Sequence, residues 1–332
     1  MKIDLLNVII IKLFQNANIA RSDKYFVSLF DKLIFTNHII MRKIFLFTIM
    51  VIAAVACCQT NEQKAKHVFL VAFDGWGSYC MDSVEMPNTR ALMEEGAYTL
   101  QKRTVLPSDS SPNWCAMFCG APAEFSGWSN NGDGPDVVPV YTNERGVFPT
   151  IFTLLREQQP ESKIACIYEW GGIKPLIDYQ VHDYQAGMNP AEIAAASCEY
   201  IKNEKPNLMA IIYDDPDHVG HSKGHDTPEY FAKMEELDAC LGEIIAAVKE
   251  AGIYEESIFI ITSDHGGFET RHGERTLMEM DTPFIIAGKN VKNIGEFKEY
   301  MMQFDTAATI AEIFGLEMPQ AWRGQSMTQV FE

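Results

Sequence analysis

Basic residues are scarce in this sequence. Its 332 residues include 27 Lys and Arg against 45 Asp and Glu, which gives a formal net charge of −18. Nucleic-acid backbones are bound through stripes of Lys and Arg, so no nucleic-acid partner is expected. Small phosphate esters remain possible ligands if bound metal supplies positive charge locally.

The sequence also lacks an internal repeat or a low-complexity linker between residues 67 and 332. A hydrophobic content of 47% is ample for a sizeable core. We therefore expect residues 67–332 to form one domain.

Cysteine is sparse, with eight residues in the whole chain. Six of them follow residue 58, an even number that would permit pairing in an exporting compartment, although the connectivity cannot be deduced from sequence. Cys115 and Cys119 lie four residues apart on a predicted helix, and we expect them to be buried apolar side chains.

Residues 41–57 have the pattern of a signal peptide. Arg42 and Lys43 precede an apolar run that is shorter than a membrane-spanning helix of about 20 residues, and small residues then lead to Cys57. The segment 54–57 resembles a bacterial lipobox, which predicts export and a lipid on Cys57, in the periplasm or at the cell surface. Lipidation of Cys58, plain cleavage and a retained anchor are the alternatives.

The segment before this leader is also informative. Because a signal peptide belongs at a true N-terminus, we expect translation to begin at Met41 and residues 1–40 to be a mis-called extension. A genuine helical extension is the alternative. Residues 58–66 are predicted to be a tether, so that the lipid anchor would be the only contact with a membrane.

After residue 66, short apolar runs alternate with longer helical patterns. This order predicts an α/β fold with a largely parallel central sheet and helices on both faces. The predicted strands are 67–74, 163–170, 207–215, 257–265 and 283–288, and the predicted helices are about 88–95, 111–119, 148–157, 190–203, 227–251 and 305–314.

Three of these strands end in Asp and His residues. Asp74 closes the first strand, Asp264 and His265 close the fourth, and the third runs into residues 214–217 followed by His221. A lone Asp at such a position is more often a cap or turn residue. Ligands of open α/β sheets, however, bind beyond the carboxyl ends of the strands, so all three strands would deliver these side chains to one edge.

Histidines are concentrated near the same strand ends. Five of the eight lie between residues 218 and 272 and are interleaved with carboxylates: His218, His221, His225, His265 and His272. Imidazole and carboxylate without thiolate suit zinc, manganese or iron. The two clusters together with Asp74 offer more ligands than one tetrahedral ion takes, so we expect two metal ions.

A candidate nucleophile lies in the segment PSDSSPN at residues 107–113. Pro112 is tolerated in a first helical turn, which places the serines at a helix start, where free amides and the helix dipole favour phosphate. A plain N-cap serine is the alternative interpretation.

These motifs resemble, in order, those of the alkaline phosphatase superfamily, and most closely its type I phosphodiesterase/nucleotide pyrophosphatase branch. The resemblance covers about residues 67–325. It implies an alkaline phosphatase-like fold and metal-dependent hydrolysis of phosphate esters, with phosphodiesters or nucleotide pyrophosphates as small-molecule substrates and a covalent intermediate on Ser110. A phosphomonoesterase is the main alternative.

The resemblance also implies roles for individual residues. Ser110 takes the place of the second threonine in the branch's P-T-K-T-F-P-N and would be the nucleophile. Asn131 would donate its amide to a phosphoryl oxygen. Two divalent ions, most consistent with zinc, would be bound by Asp217, His221 and His272 on one side and by Asp74, Asp264, His265 and the Ser110 oxygen on the other.

Several positions depart from the branch or leave alternatives. Ser110 stands where the branch usually has Thr, with Ser108 and Ser111 close by, and His225 stands where the branch often has Pro. Asp214 and Asp215 are alternatives to Asp217. No Arg follows Pro112 at the spacing that sulfatases need for formylglycine, which argues against a sulfatase.

The aromatic residues near the site have two interpretations. Trp114 and Trp170 could stack on a base or another aromatic leaving group, or they could pack in the core. A surface lipoprotein that keeps the fold only as a binding module is the non-enzyme alternative; a decayed site would have lost a ligand, and none is missing.

Overall fold

The computed structural model describes residues 63–332, which are built around one eight-stranded sheet. The strand order is β4-β3-β5-β1-β6-β7-β2-β8, and only β7 runs against the others. The strands are β1 His67–Asp74, β2 Ala97–Arg103, β3 Ile164–Tyr168, β4 Tyr184–Gly187, β5 Leu208–Pro216, β6 Ser257–Thr262, β7 Asp281–Gly288 and β8 Gly295–Glu296.

Nine α-helices accompany the sheet in the described part of the chain. They are α1 Pro87–Glu95, α2 Ser110–Cys119, α3 Ala123–Ser126, α4 Ile151–Gln158, α5 Pro190–Glu204, α6 Asp217–Lys223, α7 Pro228–Glu250, α8 Leu277–Met280 and α9 Asp305–Phe314. Short 3₁₀ turns lie at Ser78–Asp82, Gly171–Leu176, Tyr179–Val181, Tyr254–Glu256 and Thr328–Val330.

The central strand β1 is buried on both faces. Val68 and Leu70 contribute to a core shared with α2, α4 and α9, whereas Phe69 and Val71 contribute to a second core shared with α1, α5 and α7. Side chains alternate across a strand, so a strand covered on both sides must be apolar throughout. The predicted α/β fold with helices on both faces is confirmed.

Helix α2 is buried along its whole length, which brings its first residues into the protein at the edge of the sheet. Cys115 and Cys119 lie on this helix, both buried, with their Sγ atoms 3.7 Å apart. The six cysteines in the described residues are all unpaired. The burial of Cys115 and Cys119 confirms the prediction that these two cysteines are core residues.

The predicted elements are found within a few residues of their expected bounds, but strands β2, β4 and β8 and helices α3, α6 and α8 were not predicted. Strand β2 has the sequence AYTLQKR, in which polar residues replace the apolar run that marked the other strands. It is nonetheless a true strand, because it pairs with β7 and buries Lys102 completely.

The N-terminal predictions fall mostly outside the described residues. The extension 1–40, the signal peptide 41–57 and residues 58–62 of the tether all lie there. The tether prediction is wrong at its end, since Lys64 donates its backbone N–H to Ile313 and Ala65 is buried in the core. Between residues 63 and 332, no helix is long and apolar enough to cross a membrane.

Candidate metal centre and nucleophile

The carboxyl ends of β5, β1 and β6 lie side by side at the centre of the sheet. Asp74 is the last residue of β1, Asp217 follows β5 directly, and Asp264 follows β6 by two residues. Because the three strands are parallel neighbours, their ends must meet at one edge. The structure thus brings together the three carboxylates that the sequence predicted to be metal ligands.

A first set of ligand atoms comes from Asp217, His221 and His272, whose atoms lie within 4.8 Å of one another. Helix α6 begins at Asp217, so His221 falls one turn later on the same face. Oδ2 of Asp217 is 3.0 Å from Nε2 of His221 and 3.8 Å from Nε2 of His272. This is the first metal group that the resemblance implied.

A second set surrounds His265, which is completely buried. Its Nδ1 faces the carbonyl oxygen of Gly266 at 2.8 Å, so that Nε2 is free to act as a ligand. Nε2 lies 3.4 Å from Oδ1 of Asp74, 3.3 Å from Oδ2 of Asp264 and 3.1 Å from Oγ of Ser110. Asp217 also lies within ligand distance of Asp74 and His265, so its carboxylate stands between the two sets.

Two buried carboxylate oxygens in this second set have no hydrogen-bond partner, namely Oδ1 of Asp74 and Oδ2 of Asp264. Leaving a buried anionic oxygen without a partner is costly unless a cation neutralises it. Burial raises the pKa of Asp264 to about 8, and burial followed by repulsion from Asp264 raises the pKa of Asp74. Carboxylates and imidazoles so arranged fit a divalent cation.

In the first set, hydrogen bonds from histidines offset the effect of burial on the carboxylate. Burial acts to raise the pKa of Asp217, but hydrogen bonds from His221 and His225 outweigh it and hold this pKa well below its usual range. The bond to Asp217 in turn raises the pKa of His221 to about 9. Burial lowers the pKa of His265 to about 3, with His272 adding to the effect, so that His265 is neutral as a metal ligand requires.

Among the three serines of the segment at residues 107–113, Ser110 is the one that faces the ligands. It is the first residue of α2, and its Oγ contacts His265. Oγ of Ser108 instead donates to the carbonyl oxygen of Glu274 and accepts from the N–H of Gly273. Ser111 is fully buried, with an unpartnered Oγ.

Asn131 lies beside the start of α2, although it is 20 residues away in sequence from Ser111. Its Oδ1 accepts the backbone N–H of Ser111 at 2.8 Å. Within the described residues its Nδ2 makes no hydrogen bond, so the amide N–H groups are available to a ligand. Asn130 and Asn131 are both exposed, but only Asn131 hydrogen-bonds to α2.

The prediction that Trp114 stacks on a substrate is wrong. Its ring is completely buried, stacks on Phe118 and leaves no face for a ligand. Its indole N–H donates to Oδ2 of Asp74 at 2.9 Å, which turns Oδ1 of that carboxylate toward His265. Because α2 is buried on every side, the residue four positions after Ser110 cannot face solvent.

Trp170 is half-buried and packs against the same core as α2. Its ring lies over Gly172, where a Cβ would come within 2.2 Å of the indole. The two alternatives to Asp217 have other partners: the N–H of Asp214 donates to Glu169, and Asp215 lies 3.6 Å from Lys233.

Sequence reasoning left His225 without a defined role and did not consider Asp109, and both contact predicted ligands. Nε2 of His225 lies 3.1 Å from Oδ1 of Asp217, and Oδ1 of Asp109 lies 3.2 Å from Nδ1 of His272. The spacing of His225, four residues after His221, was a signal for the first. Asp109 offered none, because only the fold brings residues 109 and 272 together.

A mostly parallel sheet with this ordered set of Asp, His and Ser residues at one edge has the architecture of the alkaline phosphatase superfamily, and a family match places the chain in it. Residues 68–313 match the model of one family within it, described as type I phosphodiesterase / nucleotide pyrophosphatase. The chain belongs to that family, as its motifs predicted.

Two curated relatives match the chain at low sequence identity. The human (Homo sapiens) ectonucleotide pyrophosphatase/phosphodiesterase family member 5 is 25% identical over 258 residues, which are 73% of this chain and 53% of the relative. The bovine (Bos taurus) bis(5'-adenosyl)-triphosphatase ENPP4 is 24% identical over 229 residues, or 63% and 49% of the two proteins. The chain thus spans about half the length of the curated relatives it matches.

Solved structures share the fold. An inactive form of murine ectonucleotide pyrophosphatase/phosphodiesterase 5 in complex with AMP superposes with a TM-score of 0.67 at 17% identity, covering 82% of this chain and all of that one. A 2-O GAG sulfatase reaches a TM-score of 0.66 at 12% identity, covering 80% of this chain and 74% of that one. At these identities the likeness establishes the architecture alone.

Proposed function

We propose that the protein is a zinc-dependent hydrolase of phosphodiester or nucleotide pyrophosphate bonds, with Ser110 as nucleophile. The observation that carries the proposal is the placement of Ser110 Oγ 3.1 Å from His265 Nε2, beside the unpartnered oxygens of Asp74 and Asp264. A hydroxyl directed at a cluster of metal-ligand atoms is arranged for nucleophilic attack.

The proposed reaction has two steps, and both take place at Ser110. Ser110 gives its hydroxyl proton to solvent and its Oγ attacks phosphorus; the bond from phosphorus to the leaving alcohol or phosphate breaks, that group takes up a proton from solvent as its basicity requires, and the phosphoryl group stays esterified to Ser110. Water then attacks phosphorus and gives a proton to solvent, and the Oγ–P bond breaks as Oγ takes up a proton, which regenerates the serine. Two bound divalent cations would supply positive charge that favours the ionised hydroxyl and offsets the charge on the phosphoryl oxygens.

Asn131 is placed to bind the phosphoryl group. The N–H of Ser111 fixes its Oδ1, which directs Nδ2 away from the helix as a donor. In the first turn of α2, Ser111 donates to Asn131, Pro112 has no N–H, and Asn113 donates to the carbonyl of Asp109. Asn131 therefore adds a donor beside the N–H of Ser110, which is the one first-turn amide of α2 left without a hydrogen bond in the described structure.

The charges around Ser110 favour a diester over a monoester. In the described residues no Lys or Arg forms a hydrogen bond or ion pair with Ser110, Asn131 or the six Asp and His ligands, whereas Asp109 adds a carboxylate next to the nucleophile. A monoester dianion carries more charge than a diester and would be repelled more strongly. The names of the two relatives and the AMP bound to the murine protein support nucleotides as substrates.

The test compares bis-p-nitrophenyl phosphate with p-nitrophenyl phosphate, using zinc-loaded protein and a Ser110→Ala variant. We expect faster cleavage of the diester and a loss of roughly 10³-fold or more in the variant. Ser108→Ala is the matched control, because that hydroxyl only joins two loops, and it should keep most of the activity. Full activity in Ser110→Ala would refute the mechanism, and faster cleavage of the monoester would make the protein a phosphomonoesterase.

We further propose that the protein is exported and carries a lipid on Cys57. The lipobox-like residues 54–57 and the basic, apolar leader before them support this. Lipidation would hold the catalytic domain at a membrane surface without a spanning helix.

A further inference from the structure

The imidazole of His225 fills a slot between two glycines. A Cβ at Gly220 would lie 2.4 Å from its Nε2, and a Cβ at Gly267 would lie 2.2 Å from the same ring. The side chain is completely buried, and its ring centroid is 5.5 Å from that of Tyr230. Both neighbouring positions thus have to be glycine for the ring to lie where it does.

Each nitrogen of this ring faces an oxygen that can only accept, so the ring donates to both partners only when both of its nitrogens carry a proton. Nδ1 lies 3.1 Å from the carbonyl oxygen of Glu269, which also accepts the backbone N–H of His225. On the opposite edge, Nε2 lies 3.1 Å from Oδ1 of Asp217. Backbone and slot together therefore fix the direction in which Nε2 points.

The two oxygens of Asp217 consequently face different groups. Oδ1 is taken by His225, whereas Oδ2 faces His221 and His272. His225 belongs to neither of the two groups of three side chains whose ligand atoms all lie within 4.8 Å of one another. It therefore contacts a ligand of the metal group without belonging to the group.

We propose that His225 is a positioning residue for Asp217. Its Nε2–H holds Oδ1, so that Oδ2 alone is presented to a divalent cation shared with His221 and His272; this rests on the proposed function, which supplies the cation. Groups that hold metal ligands from outside typically change metal affinity or activity by 10–100-fold when removed. Among the six Asp and His ligands, His225 hydrogen-bonds only to Asp217, so we expect the larger loss of affinity for the ion of Asp217, His221 and His272 and a smaller loss for the second set, which Asp217 also borders.

The experiment titrates zinc into metal-free protein and follows heat and bound zinc. His225→Phe fills the slot without a donor, and we expect the zinc of Asp217, His221 and His272 to bind about 10–100-fold more weakly and the other zinc to lose clearly less affinity. His225→Gln keeps an N–H donor and should restore much of the lost affinity. His218→Ala, at the exposed neighbour of Asp217, is the matched control and should bind both ions normally.

Binding of two zinc ions by His225→Phe with wild-type affinity would overturn the proposal, as would equal weakening of both sites or failure of the wild type to bind zinc. Should His225→Phe not fold, ¹H–¹⁵N spectra of the histidine-labelled wild type decide the question. A proton retained on Nε2 of His225 in the zinc-loaded protein supports the proposal, and its absence overturns it. A wild type that binds two zinc ions but cleaves neither ester would refute the proposed function alone.

Discussion

Trp114 donates its indole N–H to Oδ2 of Asp74 across 2.9 Å, inside the core. The aromatic residue proposed from sequence as a substrate contact instead orients a carboxylate that we propose as a metal ligand. A buried hydrogen bond to a charged group contributes about 1.5–3 kcal/mol, so its loss should affect both the site and the fold.

Trp114→Phe should therefore weaken zinc binding and lower the hydrolysis rate, each by roughly 10–100-fold. Zinc titration and diester cleavage measure the two effects. The matched control is Trp322→Phe, which removes a buried indole bond to the carbonyl of Pro149 far along the chain. The control should lose stability but keep zinc affinity; equal zinc affinity in both variants would contradict the assignment.

Asn131→Ala should lower kcat/KM by roughly 10²–10³-fold, because a donor aimed at developing phosphoryl charge is lost. Zinc stoichiometry should remain at the wild-type value, since Asn131 contacts no metal ligand in the described structure. Steady-state kinetics with the diester check the first expectation. Asn130→Ala serves as the control, and a comparable loss there would show that Asn130 is the donor.

His182 makes stability depend on pH away from the metal centre. Both ring nitrogens are buried without partners, and burial lowers the pKa of His182 to about 4. The unfolded chain, with a pKa near 6.5, binds the proton first, so stability should fall as pH drops from about 6.5 to about 4, by about 3 kcal/mol at most.

His182→Phe keeps a ring against Phe152, whose centroid is 4.6 Å away, but cannot take up a proton. We expect the variant to gain stability relative to wild type as the pH falls through this window and to show no such gain above pH 7. Urea unfolding of metal-free protein at several pH values measures the difference. If the free energy of unfolding varies with pH in the same way for both proteins, His182 is not the group that makes stability depend on pH.

Cys57→Ser should release the protein from the membrane fraction of an expressing bacterium, because the residue that would carry the lipid is lost. Fractionation and labelling with a fatty acid follow the change. Cys58→Ser is the control and should remain membrane-bound and labelled. If Cys58→Ser is released and Cys57→Ser is not, then Cys58 is the residue that carries the lipid.

The sequence by itself determined which strands are buried on both faces and in what order the predicted ligands follow one another along the chain. Val, Ile and Phe runs such as those of β1 and β6 can be stable only inside a covered sheet, and the residues that follow them must lie at its carboxyl edge. For this reason Asp74, Asp217 and Asp264 could be predicted as neighbours.

Only the tertiary structure decided what surrounds those ligands. Trp114 holds Asp74 because α2 is buried, Asp109 reaches His272 across 163 residues of chain, and His225 fits between two glycines from different segments. Local sequence fixes whether a residue is apolar or polar and on which element it lies. Contacts between distant segments depend on how those elements pack, which no local pattern contains.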